Sequence, residues 1–233
     1  MWFQTKKFNI ICVGSASKDI FFPTSEGIII ETPEDITATR KIAFELGGKY
    51  RVDDRYEAIG GVAANVSCGL ARLGFPVASY SCIGGDEMGR FIRQSFNEEG
   101  VSTALVTTFP EAKTDLSAII VMTQNGERTI FHNRDANERL VVEKEKLRQA
   151  EWLFVSALNG AWQQNMDAIL AAKKDFDCKL ALNPGQHNIK EDTGKVMTAL
   201  READVLLLNK DEAIELLLHV LPDASTEDLN NEL

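Results

Sequence analysis

Two groups of residues have types and spacings suited to chemistry. The first is Gly60-Gly61-Val62-Ala63-Ala64-Asn65-Val66-Ser67, with further glycines at 74 and 84. Paired glycines ahead of a helix let the backbone approach a ligand closely and leave N–H groups pointing outward. Asn65, one turn into that helix, can both donate to and accept from a hydroxyl. The same residues also suit a tight strand-to-helix turn in which Asn65 only satisfies loop backbone. The second group is Leu206-Leu207-Leu208-Asn209-Lys210-Asp211-Glu212, with Asn209 at a strand end and Glu212 in the first turn of the next helix. On their own these two residues read as a capping box.

Other motifs are excluded. Asp192-Thr193-Gly194-Lys195 is no Walker A loop, because Ile189 stands where its first glycine belongs and Val196 where its Ser or Thr belongs. His132, His187 and His219 lack the paired spacing of a zinc site, and no Gly-x-Ser-x-Gly elbow occurs. Asp86, ahead of a helical stretch, reads as a favourable N-terminal charge and not as a base.

The elements that must position these residues follow from hydrophobic patterning. Short apolar runs at 8–13, 77–83, 103–107, 152–155, 179–182 and 205–208 read as buried strands. Between them 62–73, 87–98, 162–174 and 192–202 have helical spacing, and Gly74 and Gly100 close the first two. One further helix is expected over 213–220. Such alternation implies right-handed crossovers and a mostly parallel sheet covered on both faces, with ligands beyond the strand C-termini. Two stretches break the rhythm. Residues 20–57 contain Gly27-Ile28-Ile29-Ile30-Glu31 and the run 41–46, and residues 116–133 read as a hairpin around Asn125-Gly126. Both are expected to supply strands outside the main sheet that combine into a small lid.

With the elements placed, residues 60–84 resemble the first signature of the ribokinase-like (PfkB) carbohydrate kinases, Gly-Gly-x-Ala-x-Asn-x-Ser followed by the two spaced glycines. Val13-Gly14-Ser15 and then Asp19 look like that family's first strand and its acceptor-binding aspartate, whose charge-assisted hydrogen bonds hold a vicinal diol. The bland alternative for Asp19 is a solvated loop carboxylate. Arg134-Asp135-Ala136-Asn137 resembles a Gly-Ala-Asn loop that returns to the acceptor, with Asp135 in place of the usual glycine; Arg134 is either a ligand contact or a surface charge. Leu182-Asn183-Pro184 is similar to a strand ending in Asn-Pro. Asn209 and Glu212 look like the Asn-x-x-Glu motif that organises Mg²⁺, its waters and the nucleotide phosphates.

The resemblance implies an α/β three-layer fold with a mostly parallel central sheet, ribokinase-like and incomplete at the C-terminus, plus a small β-strand lid within about 20–57 and 116–133. It implies transfer of the γ-phosphoryl of ATP, with Mg²⁺, to a primary hydroxyl of a sugar or nucleoside. Asp19, Gly60, Gly61, Asn65 and Arg134 would bind that acceptor; Asn183, Asn209 and Glu212 would serve the nucleotide, with Glu212 towards the metal. Val62 and Ser17 stand where ribokinases proper have lysine and asparagine, so strict ribose specificity is not implied. Phe21 and Phe22 are candidates for stacking on a nucleobase, but neighbours on a strand face opposite ways, so at most one reaches it.

Nothing after Glu212 matches the family's Gly-Ala-Gly-Asp segment, which carries its catalytic base. The expectation is therefore one truncated domain over 1–233, with no catalytic residue of its own and inactive alone. Alternatives are a noncatalytic sugar-binding or regulatory module, or an inert gene fragment. Members of the family pair through the lid, so a homodimer is open. A net charge of −10 argues against nucleic acid, which needs clustered Lys and Arg. The absence of a long apolar run or a basic-apolar leader points to a cytoplasmic protein without a membrane partner. Cys12, Cys68, Cys82 and Cys178 form no CxxC pair and read as reduced core thiols.

Overall fold

The computed structural model describes residues 7–33, 40–52 and 54–221. Along the chain these form β1 (Phe8–Val13), β2 (Ser17–Thr24), β3 (Ile28–Glu31), β4 (Arg40–Ala43), β5 (Tyr56–Gly60), α1 (Val62–Arg72), β6 (Val77–Tyr80), β7 (Cys82–Gly84), α2 (Glu87–Glu98) and β8 (Thr107–Phe109). There follow β9 (Leu116–Met122), β10 (Arg128–Asn133), α3 (Lys144–Leu147), β11 (Ala150–Val155), α4 (Trp162–Phe176), β12 (Lys179–Leu182), α5 (Gln186–Glu191), α6 (Thr193–Glu202), β13 (Val205–Leu206) and α7 (Lys210–Val220). The chain divides into two compact units, the second made of 19–58 and 116–133 and the first of the remainder. Residues 222–233 lie outside the described residues.

In the first unit a five-stranded sheet runs in the order β13-β12-β11-β1-β6. Every pairing in it is parallel. Strand alternation sends successive side chains of β1 to opposite faces. Ile11 and Val13 join a core with Leu153, Leu180, Trp162 of α4 and Val196 of α6. Cys12 packs instead with Ala63 of α1, Val77 and Phe154. The helices therefore cover both faces, and the three-layer α/β reading holds. The four cysteines are buried and none is in a disulfide. Burial pushes the Cys12 and Cys82 thiols up to about 12, so neither forms a thiolate near neutral pH.

The expected run at 77–83 is two strands, because the chain leaves the sheet at Ser81 and β7 pairs in parallel with β8. Residues 103–107 begin with a turn, Val106 N–H donating to the Thr103 carbonyl at 3.0 Å, so that strand comes later, as β8. The last strand is shorter than the apolar run 205–208, and α7 starts at Lys210, ahead of the expected 213. Helices α3 and α5 were not read from sequence. Both are short, six residues at most, and offer too few turns for a periodic signal.

The second unit carries a four-stranded sheet in the order β10-β9-β2-β5 and a separate two-stranded sheet of β3 and β4. β9 and β10 form the antiparallel hairpin expected around Asn125-Gly126. Gly126 has φ 76°, as the tip of such a turn requires. β3 and β4 pair antiparallel with each other and do not extend the larger sheet.

Candidate ligand site

The turn between β5 and α1 is built around a close backbone approach. Gly61 has φ 88°, and a Cβ there would lie 2.4 Å from the Ser15 carbonyl oxygen, so only glycine fits. Ala64 N–H donates to that same carbonyl at 3.3 Å. Ala63 and Ala64 are fully buried, their small side chains letting α1 sit on the sheet and on α2. Gly61 is the N-cap and offers no side-chain acceptor to the first turn. Asn65 is exposed, and among the described residues its side chain makes no hydrogen bond. The glycines do make a tight junction, then, but Asn65 is not spent on satisfying it. Ser67, by contrast, is buried and donates to the Ala63 carbonyl at 2.8 Å, a packing role.

Buried asparagines clamp the loops beyond the C-terminal ends of the parallel strands. Asn137, 1% exposed, donates to the Ala16 carbonyl at 2.8 Å and accepts from Ala16 N–H at 3.3 Å. Asn188 holds Leu158 in the same two-bond manner, and Asn165 receives the Val142 amide while donating to Leu140. Each amide side chain reproduces the donor and acceptor of a strand partner where no strand is present. The asparagine of the loop 134–137 is thus structural in its contacts. Asp135, in the place of the usual glycine, accepts from Lys113 N–H at 2.8 Å and pairs with Arg139. Those contacts hold its carboxyl below the usual carboxylate range, the Lys113 amide first. Arg134 donates to Asn159, a 5%-exposed residue just past β11. This partnership had no signature in the sequence, since a lone asparagine in a loop carries none.

At the neighbouring strand ends, Asn209 and Glu212 form a full capping box. Glu212 N–H donates to Asn209 Oδ1 at 2.8 Å, and Asn209 N–H donates to Glu212 Oε2 at 3.0 Å. Glu212 is 6% exposed, and its Oε1 has no hydrogen bond among the described residues. Asn183 donates from Nδ2 to the Leu207 carbonyl at 2.9 Å, tying the end of β12 to the chain after β13, and its Oδ1 makes no hydrogen bond among the described residues. Asp86 caps α2, accepting from Gly89 N–H at 2.8 Å and from Thr114 N–H and Oγ1 at 2.8 and 2.6 Å. Burial would raise its pKa, but these donors outweigh it and hold it below the usual range. Asp19 lies on β2 in the second unit. Among the described residues no three His, Cys, Asp or Glu side chains cluster to hold a metal, and no helix is long and apolar enough to cross a membrane.

The family model described as "pfkB family carbohydrate kinase" matches residues 9–231. A ribokinase of Haemophilus influenzae is 30% identical over 161 residues, which are 67% of this chain and 50% of that protein. A solved Arabidopsis thaliana ribokinase, complexed with ribose and ATP, superposes with a TM-score of 0.68 at 20% identity, covering 90% of this chain and 62% of that one. A Burkholderia thailandensis nucleoside kinase in complex with inosine gives 0.71 at 16% identity, covering 94% and 66%. At such identities these structures speak to the fold. The chain spans about half the length of the curated relatives it matches.

Proposed function

The chain belongs to the pfkB family of carbohydrate kinases, and on that premise we propose that the protein transfers the γ-phosphoryl of ATP to a primary hydroxyl of a sugar or nucleoside. The observation that carries this reading is the Gly61 junction. It brings backbone within a distance that excludes any side chain, and one turn later it leaves Asn65 exposed with its donor and acceptor both unspent. A group in that state suits a hydroxyl ligand. Gly60 and Gly61 would supply backbone to the acceptor, and Asp19 would accept from its hydroxyls. Arg134, oriented by buried Asn159, would add a fixed donor. Such fixed groups act by orientation, the main lever in phosphoryl transfer.

On the nucleotide side the residues fit Mg²⁺ sparingly. Glu212 has one carboxylate oxygen committed to the cap and one without a hydrogen bond among the described residues, which suits a cation that keeps most of its waters. Bound there, Mg²⁺ would neutralise phosphate charge, with Glu212 as its protein ligand, and Asn209, with Asn183 tied to the Leu207 carbonyl, would serve the phosphates. No general base is assigned among the described residues. The relatives support a sugar or nucleoside as acceptor, one being a ribokinase and two solved neighbours holding ribose with ATP, and inosine.

A second reading, a sugar-binding module without phosphoryl transfer, is favoured by one observation. The capping box already uses Asn209 Oδ1 and one Glu212 oxygen. Calorimetric titrations with ribose, fructose and adenosine, then with Mg²⁺-ATP, separate the two. Binding of an acceptor and of Mg²⁺-ATP supports the kinase reading, acceptor binding alone supports the module, and no heat with any of the three acceptors overturns both.

A further inference from the structure

The four-stranded sheet of the second unit has two faces, and its registers assign each side chain to one of them. Ser117 of β9 stands opposite His132 of β10, and Ile119 opposite Ile130. β2 runs parallel to β9, for Lys18 N–H donates to the Asp115 carbonyl at 2.9 Å and Thr123 N–H to the Thr24 carbonyl at 3.0 Å. Both bonds belong to one parallel register, which sets Asp19 beside Ser117 and Phe21 beside Ile119. Residues of the other parity, Phe22, Thr24, Ala118, Ile120 and Phe131, line a cavity of about 290 Å³ on the opposite face. Of the two phenylalanines weighed as nucleobase partners, Phe21 is therefore the one that shares a face with Asp19.

Asp19, Ser117 and His132 thus form a single polar row across three strands. Neighbouring strands lie about 4.8 Å apart, so the two ends of the row are roughly 10 Å apart at the backbone. Ser117, the shortest of the three, stands between two longer side chains and makes the floor of a notch. The carboxylate can only accept hydrogen bonds, whereas the hydroxyl and the neutral imidazole can both donate and accept. Ser117 is half-buried and His132 exposed, and among the described residues neither side chain makes a hydrogen bond. The next row along the strands is apolar, made of Phe21, Ile119 and Ile130, and Ile130 is 46% exposed. A sugar has the same division, hydroxyls at its edges and C–H groups on the face of its ring.

We propose that Ser117 and His132 are acceptor-binding residues, and that the acceptor is a sugar with hydroxyls on both of its edges. This rests on the kinase reading above, in which Asp19 holds the acceptor. Asp19 takes the hydroxyls of one edge, Ser117 bonds from the floor of the notch, and His132 holds a hydroxyl on the far edge. Phe21 and Ile130 cover the C–H face and remove it from water. His132 is then the residue that distinguishes acceptors with a far-edge hydroxyl from those without one, because the latter leave the imidazole without its partner.

Calorimetric titration with ribose, fructose and adenosine tests it, the best-bound of the three being carried into the variants. His132→Ala should weaken that acceptor about tenfold, and His132→Gln, which keeps a donor and an acceptor, should stay within about threefold of wild type. Ser117→Val suits a strand but raises the floor of the notch, so it should abolish binding. Thr129→Ala, on the other face of the strand that carries His132, should leave binding unchanged. Melting temperatures of both histidine variants should match wild type, because the side chain is exposed. If Ser117→Val melts early, the histidine variants and Thr129→Ala decide. An acceptor that binds wild type and His132→Ala equally overturns the proposal and leaves the kinase reading standing. So does a loss in Thr129→Ala as large as that in His132→Ala, since the effect would not belong to this face. No heat with any of the three acceptors overturns both.

Discussion

In the proposed site Asn65 is the side chain on which acceptor binding is expected to turn, because among the described residues it is exposed and makes no hydrogen bond while its neighbours Ala64 and Ser67 are committed to packing. Asn65→Ala is expected to weaken the best-bound acceptor in the titrations about tenfold, near 1.4 kcal/mol, with no shift in melting temperature. A matching loss of stability would mean that Asn65 holds structure. Asp86 gives the opposite case, a carboxylate that caps a helix and touches no proposed ligand. Its pKa is held below the ordinary value of 3.8, so its contribution to stability is present in full above that value and is lost as pH falls through the lower, folded-state pKa. Urea midpoints of Asp86→Asn and wild type should therefore differ at neutral pH and converge towards about pH 2. A difference that persists undiminished in acid would remove the charge from the explanation.

Among the elements, the β5–α1 junction and the asparagine clamps decide where the groups of the proposed site lie. Gly61→Ala must place a Cβ against the Ser15 carbonyl at a left-handed φ, so it should destabilise the protein by about 2 kcal/mol or more, measured by chemical unfolding. An unchanged midpoint would show that the junction can open, and the close backbone approach would cease to be an argument. Asn137→Ala leaves the Ala16 amide and carbonyl buried without partners and should cost about 1–3 kcal/mol. Asn137→Asp keeps the shape but sets a carboxylate oxygen against the Ala16 carbonyl in place of the donor, so it should cost at least as much; near wild-type stability of this variant would point to packing instead of the paired hydrogen bonds.

For the whole molecule, the parallel sheet has β13 at one edge, with Val205, Leu206 and Leu207 each more than 40% exposed. An open apolar edge is a template for pairing with another chain. Light scattering of the 233-residue chain should rise with concentration, and Leu206→Lys should lower that rise without changing the circular dichroism spectrum. If the substitution leaves association unaltered, the association runs through another surface, and β10, where Ile130 and Phe131 are both exposed, is the next to test.

The sequence alone determined the parallel core, the principal helices and the β9–β10 hairpin, because each has a local periodicity or a turn pair that burial makes obligatory. The Gly-Gly-x-Ala-x-Asn-x-Ser segment was legible for the same reason, since a turn too tight for a Cβ admits only glycine. Tertiary structure decided the rest. Where the run 77–83 breaks depends on β8 being available at Ser81, and whether β3 and β4 join the larger sheet depends on which edges are free. The link from Arg134 to Asn159, and the clamps made by Asn137, Asn165 and Asn188, join residues 23 to 121 positions apart. One hydrogen bond between distant amides leaves no periodic trace in a chain. Asn65 shows the division most directly: its type announced that it could bind a hydroxyl, and only the packing around α1 decided that nothing else in the described structure uses it.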